Sequence, residues 1–321
     1  MSGTAAGDTA VVVRDLAKSF GETRALSAIS FDVRAAELFG FIGPDGAGKT
    51  TLFRGLTTLM LPDAGSAAVL GLDVVRDLWA IRSRVGYMPG RFSLYPDLTV
   101  EENLRFFAAV FGTTVEEGRA IIEPIWKQIA PFAARRADAL SGGMKQKLAL
   151  CCALVHRPEI LFLDEPTTGV DAVSRREFWE MLAELRASGL TIVVSTPYMD
   201  EASRCDRVAL IHGGRILGIA PPGALGAEFG RALVAVCGPN RFALLTALRE
   251  HPDAVTVYPF GAELHFTSRR PPADAAEVAR ELAGWLVARG HGDATVVPEA
   301  PGIEDIFMAR MGGGGASEEA A

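Results

Sequence analysis

Between an apolar run, Leu38–Ile42, and a helical pattern over Thr51–Leu59 stands Gly43-Pro44-Asp45-Gly46-Ala47-Gly48-Lys49-Thr50. A glycine-rich turn from a buried strand into a helix lets successive backbone N–H groups face one anion, and the helix end adds partial positive charge. In this spacing the lysine reaches the β- and γ-phosphates of a nucleoside triphosphate, and the Thr50 hydroxyl sits on Mg²⁺. The residues from Gly43 through Lys49, with Thr50 and Thr51, are therefore the candidate ATP-binding residues, and Thr50 is a candidate metal ligand. A loop of this kind belongs to a parallel sheet covered by helices, so strands should alternate with helices along the chain.

They do. Val11–Val13 and Ile29–Val33 are strand-like, Ile160–Leu163, Thr191–Val194 and Arg207–His212 read as strands, and Ser174–Ala187 reads as a helix. Residues 90–139 interrupt the alternation as a mostly helical insertion, with Phe106, Phe107, Val110 and Phe111 at helical spacing. Past residue 230 the order is strand (Ala232–Cys237), helix (Arg241–Glu250), two strands (Val255–Tyr258 and Glu263–Thr267), helix (Asp274–Arg289) and strand (Ala294–Val297). That is the ferredoxin-like order. The expected architecture is an α/β, P-loop NTPase parallel sheet over residues 8–225, carrying the helical insertion. A small ferredoxin-like α+β domain follows over 230–310, with the boundary at Pro221-Pro222 and a flexible tail over 311–321.

The longest uninterrupted apolar stretch, Leu148–Val155, falls far short of the roughly 20 residues of a membrane helix. The start, MSGTAAGDTA, has neither a basic nor an apolar segment of a secretory signal. A net charge of −7 argues against nucleic acid as a partner held mainly by charge. Cys151, Cys152, Cys205 and Cys237 lack zinc or redox spacing and read as free thiols. The expected address is cytoplasmic.

Two further segments carry chemistry. Ile160-Leu161-Phe162-Leu163-Asp164-Glu165 ends a strand on two acids. Such a pair alone also serves as a helix cap. Beside a phosphate loop, Asp164 is placed to hold Mg²⁺ and Glu165 to polarise the attacking water as the catalytic residue. Leu140-Ser141-Gly142-Gly143-Met144-Lys145-Gln146 is a second anion site, with a hydroxyl and bare N–H groups at a helix start. One chain cannot easily aim two such sites at one γ-phosphate, whereas a second subunit facing it head-to-tail can. Ser141, Gly142 and Gly143 then close on a nucleotide sandwiched between two ATPase domains.

These segments together resemble the ATP-binding subunits of ABC transporters. GPDGAGKT is similar to their Walker A loop, LSGGMKQK to their signature and LFLDEP to their Walker B, with Gly169-Val170-Asp171 as D-loop. The resemblance spans about residues 10–220. It implies that Phe20 stacks on adenine and that the partners are integral-membrane permease subunits and a second ABC ATPase subunit. The protein would sit on the inner face of the membrane through its permease. The end, Gly302-Ile303-Glu304-Asp305-Ile306-Phe307, is similar to the extension of ABC-2 type drug exporters.

Two positions depart from the family. Gly90 stands where a glutamine is usual, in Gly86-Tyr87-Met88-Pro89-Gly90, and Pro197 stands where a histidine is usual, in Ser195-Thr196-Pro197. Glycine offers no side chain, and proline neither a side-chain donor nor an N–H. Losing one pre-organised donor costs roughly 3–4 kcal/mol, about 10²–10³ in rate. The expected function is an ATP-hydrolysing motor subunit of a membrane exporter whose own site is slow. It forms either the degenerate half of a heterodimer, which the intact signature favours, or a homodimer with two slow sites. A non-hydrolysing regulatory subunit and a soluble ABC ATPase outside transport are the alternatives. The segment 91–107, with Phe92 and Tyr95, is the expected permease contact or else part of the helical core.

Overall fold

The computed structural model describes residues 9–91, 94–226 and 229–314. The described residues divide into two compact units that meet between Pro221 and Pro222 in the chain. The first unit opens with β1 (Thr9–Phe20) and β2 (Thr23–Arg34), an antiparallel hairpin turning at Gly21, whose φ is +58°. Then come β3 (Leu38–Ile42), α1 (Lys49–Leu56), β4 (Ala64–Val69), β5 (Leu72–Asp73), α2 (Leu78–Arg84) and β6 (Val85–Met88). The insertion supplies α3 (Val100–Val110) and α4 (Val115–Ile129), followed by α5 (Gly142–Leu154). The unit closes with β7 (Ile160–Asp164), α6 (Ala172–Ala187), β8 (Thr191–Thr196), β9 (Arg207–His212) and β10 (Arg215–Ala220).

The strands form two sheets. One is antiparallel, in the order β2-β1-β4-β5; the other runs β10-β9-β3-β8-β7-β6, parallel except for β10 at its edge. Every residue of β3, β7 and β8 is buried, as parallel strands covered on both faces require. An aromatic run fixes the helix that follows the phosphate loop. Phe31 on β2, Phe41 on β3, Phe53 on α1 and Phe162 on β7 meet edge-to-face at centroid steps of 5.0, 5.9 and 5.8 Å. Aromatic pairs prefer this geometry, so α1 is held between the two sheets by oriented packing as well as by area.

The separate antiparallel sheet was not among the expectations, because the β1–β4 pairing that joins its two hairpins links residues far apart in sequence. Helix α1 begins at Lys49 rather than Thr51 and stops at Leu56. The Thr57 hydroxyl bonds back to Phe53 O at 2.8 Å, and Thr58 turns to a φ of +61°. In the insertion, Thr99/Glu102 and Thr114/Glu117 form reciprocal capping boxes that start α3 and α4. The apolar stripe of α3 does not form its core. Val100, Asn103, Leu104 and Ala108 are buried, while Phe106, Val110 and Phe111 are exposed and Tyr95 rests on Phe106. Phe92 lies outside the described residues. Among the described residues no helix is long and apolar enough to cross a membrane.

The second unit comprises α7 (Pro222–Leu225), β11 (Leu233–Cys237), α8 (Arg241–Arg249), β12 (Ala254–Phe260), β13 (Glu263–Ser268), α9 (Ala275–Ala288), β14 (Thr295–Glu299) and α10 (Ile303–Gly314). Its strands pair antiparallel in the order β12-β13-β11-β14. Val234, Val236, Leu264 and Phe266 share a core with Leu248 of α8 and Leu282 of α9. Strand alternation turns His265 to the opposite face. There its Nδ1 lies 2.6 Å from Asp305 Oδ1, and the same carboxylate accepts from the Tyr258 hydroxyl and, at 2.8 Å, from Gly302 N–H. Asp305, with buried Ile306 and Phe307, thus anchors α10. The helix continues from that anchor through Gly314, so residues 311–314 are helical rather than tail; residues 315–321 lie outside the described residues.

This anchor has a pH signature. Burial acts to lower the His265 imidazole, but the hydrogen bond and charge of Asp305 outweigh it and leave it raised. Burial acts to raise the Asp305 carboxyl, but the bonds from His265, Tyr258 and Gly302 leave it lowered. The His265 contribution is whole below its ordinary value, about 6.5, and is lost as pH rises through the raised one; the Asp305 contribution is lost as pH falls through the lowered one. Corrected for intrinsic rates, amide exchange over 303–311 should therefore be slowest near pH ~5–6 and several-fold faster at pH ~8. His265→Gln should abolish the alkaline rise; a rise that persists in the variant would show that the anchor does not titrate.

Candidate functional site

The site is built where β3, β7 and β8 end side by side. Leaving β3, the chain turns at Gly43, whose N–H bonds Thr196 O at 3.3 Å, and Ala47 N–H closes the loop on Pro44 O at 3.2 Å. Gly46 and Gly48 adopt φ of +77° and +103°. A Cβ at Gly48 would lie 2.4 Å from Ala25 O, so only glycine fits between the loop and β2. Among the described residues, no internal acceptor takes the N–H groups of Gly46, Gly48 or Lys49. These free donors at a helix start form a concave anion cradle.

Lys49 is buried, 3 % exposed, and its Nζ bonds Gly43 O at 2.8 Å and Pro44 O at 2.9 Å. It also pairs with Glu165 Oε1 at 3.0 Å. Glu165 has a φ of +51°, and its N–H is held by Ser195 O and Ser195 Oγ, each at 3.0 Å. The Ser195 hydroxyl donates to Asp164 Oδ1 at 2.7 Å, and Asp164 is 2 % exposed. Burial, then the nearby Asp164 charge, pushes the Tyr87 phenol up to about 12. A lysine, two carboxylates and the Thr50 hydroxyl around free amides are a donor set suited to a magnesium nucleotide.

The structure thus brings together the loop from Gly43 to Lys49, Asp164 and Glu165, with Thr50 and Thr51 in the first turn of α1. Phe20 lies apart from the cradle's hydrogen bonds. It ends β1, half exposed, with Lys18 Nζ 5.8 Å from its ring centre, on the hairpin whose return strand supplies Ala25. Ser141 caps α5 in an exposed position, its Oγ accepting weakly from Met144 N–H at 3.4 Å. The contacts of the Ser141 loop are with the Gly169–Asp171 loop and α6. A Cβ at Gly143 would fall 2.5 Å from Ser174 Oγ, and one at Gly142 would fall 3.5 Å from Gly169 O.

At Gly90 a Cβ would lie 3.0 Å from Asp164 O and 3.7 Å from Glu165 Cβ, so the position borders the acidic pair without a side chain. Pro197 sits in a turn closed by Tyr198 N–H on Thr196 Oγ1 at 3.0 Å. Sequence reasoning missed Ser195, which joins both acids, and Glu201, a buried carboxylate bound to Thr167 and Thr196. Small polar residues at a strand end carry no spacing signal that separates such roles from turn capping. Cys151, Cys152 and Cys205 are free and buried, and burial pushes their thiols up, away from reactivity.

The ABC transporter family model matches residues 26–168. The chain is 43 % identical over 227 residues to the probable multidrug ABC transporter ATP-binding protein YbhF of Escherichia coli, covering 69 % of this chain but only 39 % of that protein's length. It is 34 % identical over 307 residues to the Nod factor export ATP-binding protein I of Rhizobium sp. (strain N33), covering 94 % of this chain and 97 % of that one. Among solved structures, it is similar to the dimeric post-hydrolysis ATP-binding cassette MJ0796 bound to ADP and Pi. There the TM-score is 0.60 and the identity 25 %, over 66 % of this chain and 98 % of the other. Cradle, acid pair, Ser141 loop and whole-length likeness agree: the chain belongs to the ABC transporter family, among its ATP-binding proteins.

Proposed function

We infer that this chain is an ATP-driven motor subunit of an ABC-type exporter, acting as one of two facing cassettes. The observation that carries the reading is that its two anion-binding elements pack against different neighbours. Lys49, Asp164 and Glu165 cluster at the phosphate loop, whereas Ser141–Gly143 packs on the Gly169–Asp171 loop and α6. The second element therefore serves a nucleotide held by another cassette, as the dimeric neighbour and the export relatives support. In this reading the free loop amides and Lys49 hold the phosphates, Thr50 and Asp164 hold Mg²⁺, and Glu165 orients the attacking water. Phe20 stacks on the base. Bound Mg²⁺ offsets the charge on the terminal phosphates.

Gly90 and Pro197 leave the water and γ-phosphate of this chain's own site without two donors, so the site binds ATP better than it cleaves it. The whole Ser141 loop favours a heterodimer in which the partner's site turns over.

An apolar groove of about 470 Å³ fits the permease. It is lined by Leu59, Trp79, Leu94, Phe107, Val110 and Phe111, of which Trp79 is 75 % and Val110 61 % exposed. Phe107, Val110 and Phe111 from the end of α3 line this groove, and an amphipathic helix of a membrane subunit would cover it. The full chain, tagged and recovered from detergent-solubilised membranes, should bring down an integral-membrane protein and a second ABC cassette. Val110→Asp should release the membrane protein by tenfold or more and leave ATP affinity unchanged. Recovery of the chain alone, indifferent to this substitution, would overturn the transporter reading.

A further inference from the structure

Glu201 is 3 % exposed, yet it lies in a short turn, Met199–Arg204, where a surface carboxylate would do for capping. Its Oε1 and Oε2 accept from Thr167 Oγ1 at 2.8 and 3.1 Å, and Oε2 accepts from Thr196 Oγ1 at 2.5 Å. Arg175 Nε stands 3.8 Å from Oε1, with its guanidinium 4.9 Å from the Tyr198 ring centre. A buried carboxylate is stable only when such donors compensate its lost hydration. Its three partners come from three segments of the site. Thr167 lies two residues beyond Glu165; Thr196 follows Ser195, which bonds both Asp164 and Glu165; Arg175 is one turn into α6, beyond the Asp171 cap.

The hydroxyl protons are also fully used. Thr196 gives its one proton to Glu201 while its oxygen accepts Tyr198 N–H, and Thr196 O accepts the N–H of Gly43 at the mouth of the phosphate loop. Moving Glu201 would therefore free the end of β8, and with it Ser195, at the same moment as the segment leading to Gly169–Asp171.

We propose that Glu201 is a positioning residue that ties the Ser195–Thr196 segment, and through it the acid pair, to the loop 167–171 so that the two respond as one body. Its own partners are Thr167, Thr196 and Arg175, not Lys49, Asp164 or Glu165. Through the loop it links this chain's own nucleotide to the Ser141 element beside it. The proposal rests on the nucleotide reading above only for its consequence, not for the coupling itself.

The test compares the full chain with Glu201→Ala and Glu201→Gln, without nucleotide, by amide hydrogen exchange. Residues 164–171 and 195–198 should lose protection together in the alanine variant, by tenfold or more, and recover largely in the glutamine variant, which keeps one acceptor oxygen. Fluorescent-ATP titration adds a second readout. The gain in affinity on adding Mg²⁺ over EDTA should shrink at least tenfold in Glu201→Ala, with the EDTA affinity within threefold. Thr167→Val, which removes a single donor, should shift both readouts in the same direction, and it replaces the alanine variant should that one fail to fold. Deprotection confined to 198–204 with an unchanged Mg²⁺ gain would reduce Glu201 to a turn anchor and overturn the proposal. A wild-type chain that binds no nucleotide would overturn the functional reading instead, and the exchange data would still decide the coupling.

Discussion

Lys49→Ala should lower Mg-ATP affinity at least ~100-fold, about 2.7 kcal/mol, in equilibrium titration with a fluorescent ATP analogue. Three effects act in the same direction. The substitution removes a buried cation at the phosphate loop, whose Nζ is held by Gly43 O, Pro44 O and Glu165. It leaves two loop carbonyls facing the anion without the ammonium between them. It also strips Glu165 of its 3.0 Å partner, so that a carboxylate now repels the triphosphate. Truncating one member of a buried charge pair costs roughly 2–5 kcal/mol, much of it from the charge left behind. The double variant Lys49→Ala/Glu165→Gln should therefore bind better than Lys49→Ala alone, a non-additivity that reports the pair directly. Unchanged affinity in Lys49→Ala would place the nucleotide elsewhere in the chain.

Why that lysine could be found without coordinates is a matter of range. The phosphate loop, the acid pair and the Ser141 loop are each a few consecutive residues, and the backbone geometry they need follows from glycine and from a helix start. The βαββαβ order of the second unit was legible for the same reason, since each element carries its own period. Pairing over long range was not: β1 meets β4 with Val11 opposite Val69, and no local pattern marks it. The spacing of Phe106, Phe107, Val110 and Phe111 marked α3 as a helix but not which face it buries, because a 3.6-residue apolar period describes a groove wall as well as a core. Residues 311–314 read as tail because glycine disfavours a helix; they join one seeded by the buried Asp305-Ile306-Phe307 anchor. Ser195 and Glu201 stayed hidden because their significance lies in three-dimensional partners, and a serine or glutamate near a strand end is ordinary turn chemistry.

The positions where sequence and structure together make the sharpest demand are Gly90 and Pro197. Purified alone, the chain should bind ATP yet release phosphate very slowly, and a partner cassette bearing the usual glutamine and histidine should raise turnover through the Ser141 loop. Restoring the residues should differ in difficulty. A Cβ at position 90 meets Asp164 O at 3.0 Å, so the backbone has to yield by a few tenths of an ångström. Beyond it the side chain finds a cavity of about 190 Å³ lined by Gln146, Thr168 and Gly169. Position 197 lies in a turn whose closing bond, Tyr198 N–H to Thr196 Oγ1, does not involve Pro197 itself. Pro197→His can therefore keep the turn, and it frees Thr196 from the restriction that a following proline imposes. Pro197→His should recover activity more readily than Gly90→Gln, and the double variant should exceed either by more than their product, because both groups converge on one γ-phosphate. One restored donor is worth roughly 10²–10³ in rate, which sets the scale of the gain. Steady-state phosphate release from the four chains, with and without partner, measures it. Brisk hydrolysis by the unmodified chain alone, abolished by Glu165→Gln, would show that it positions its water without either residue, and the slow-site reading would fall.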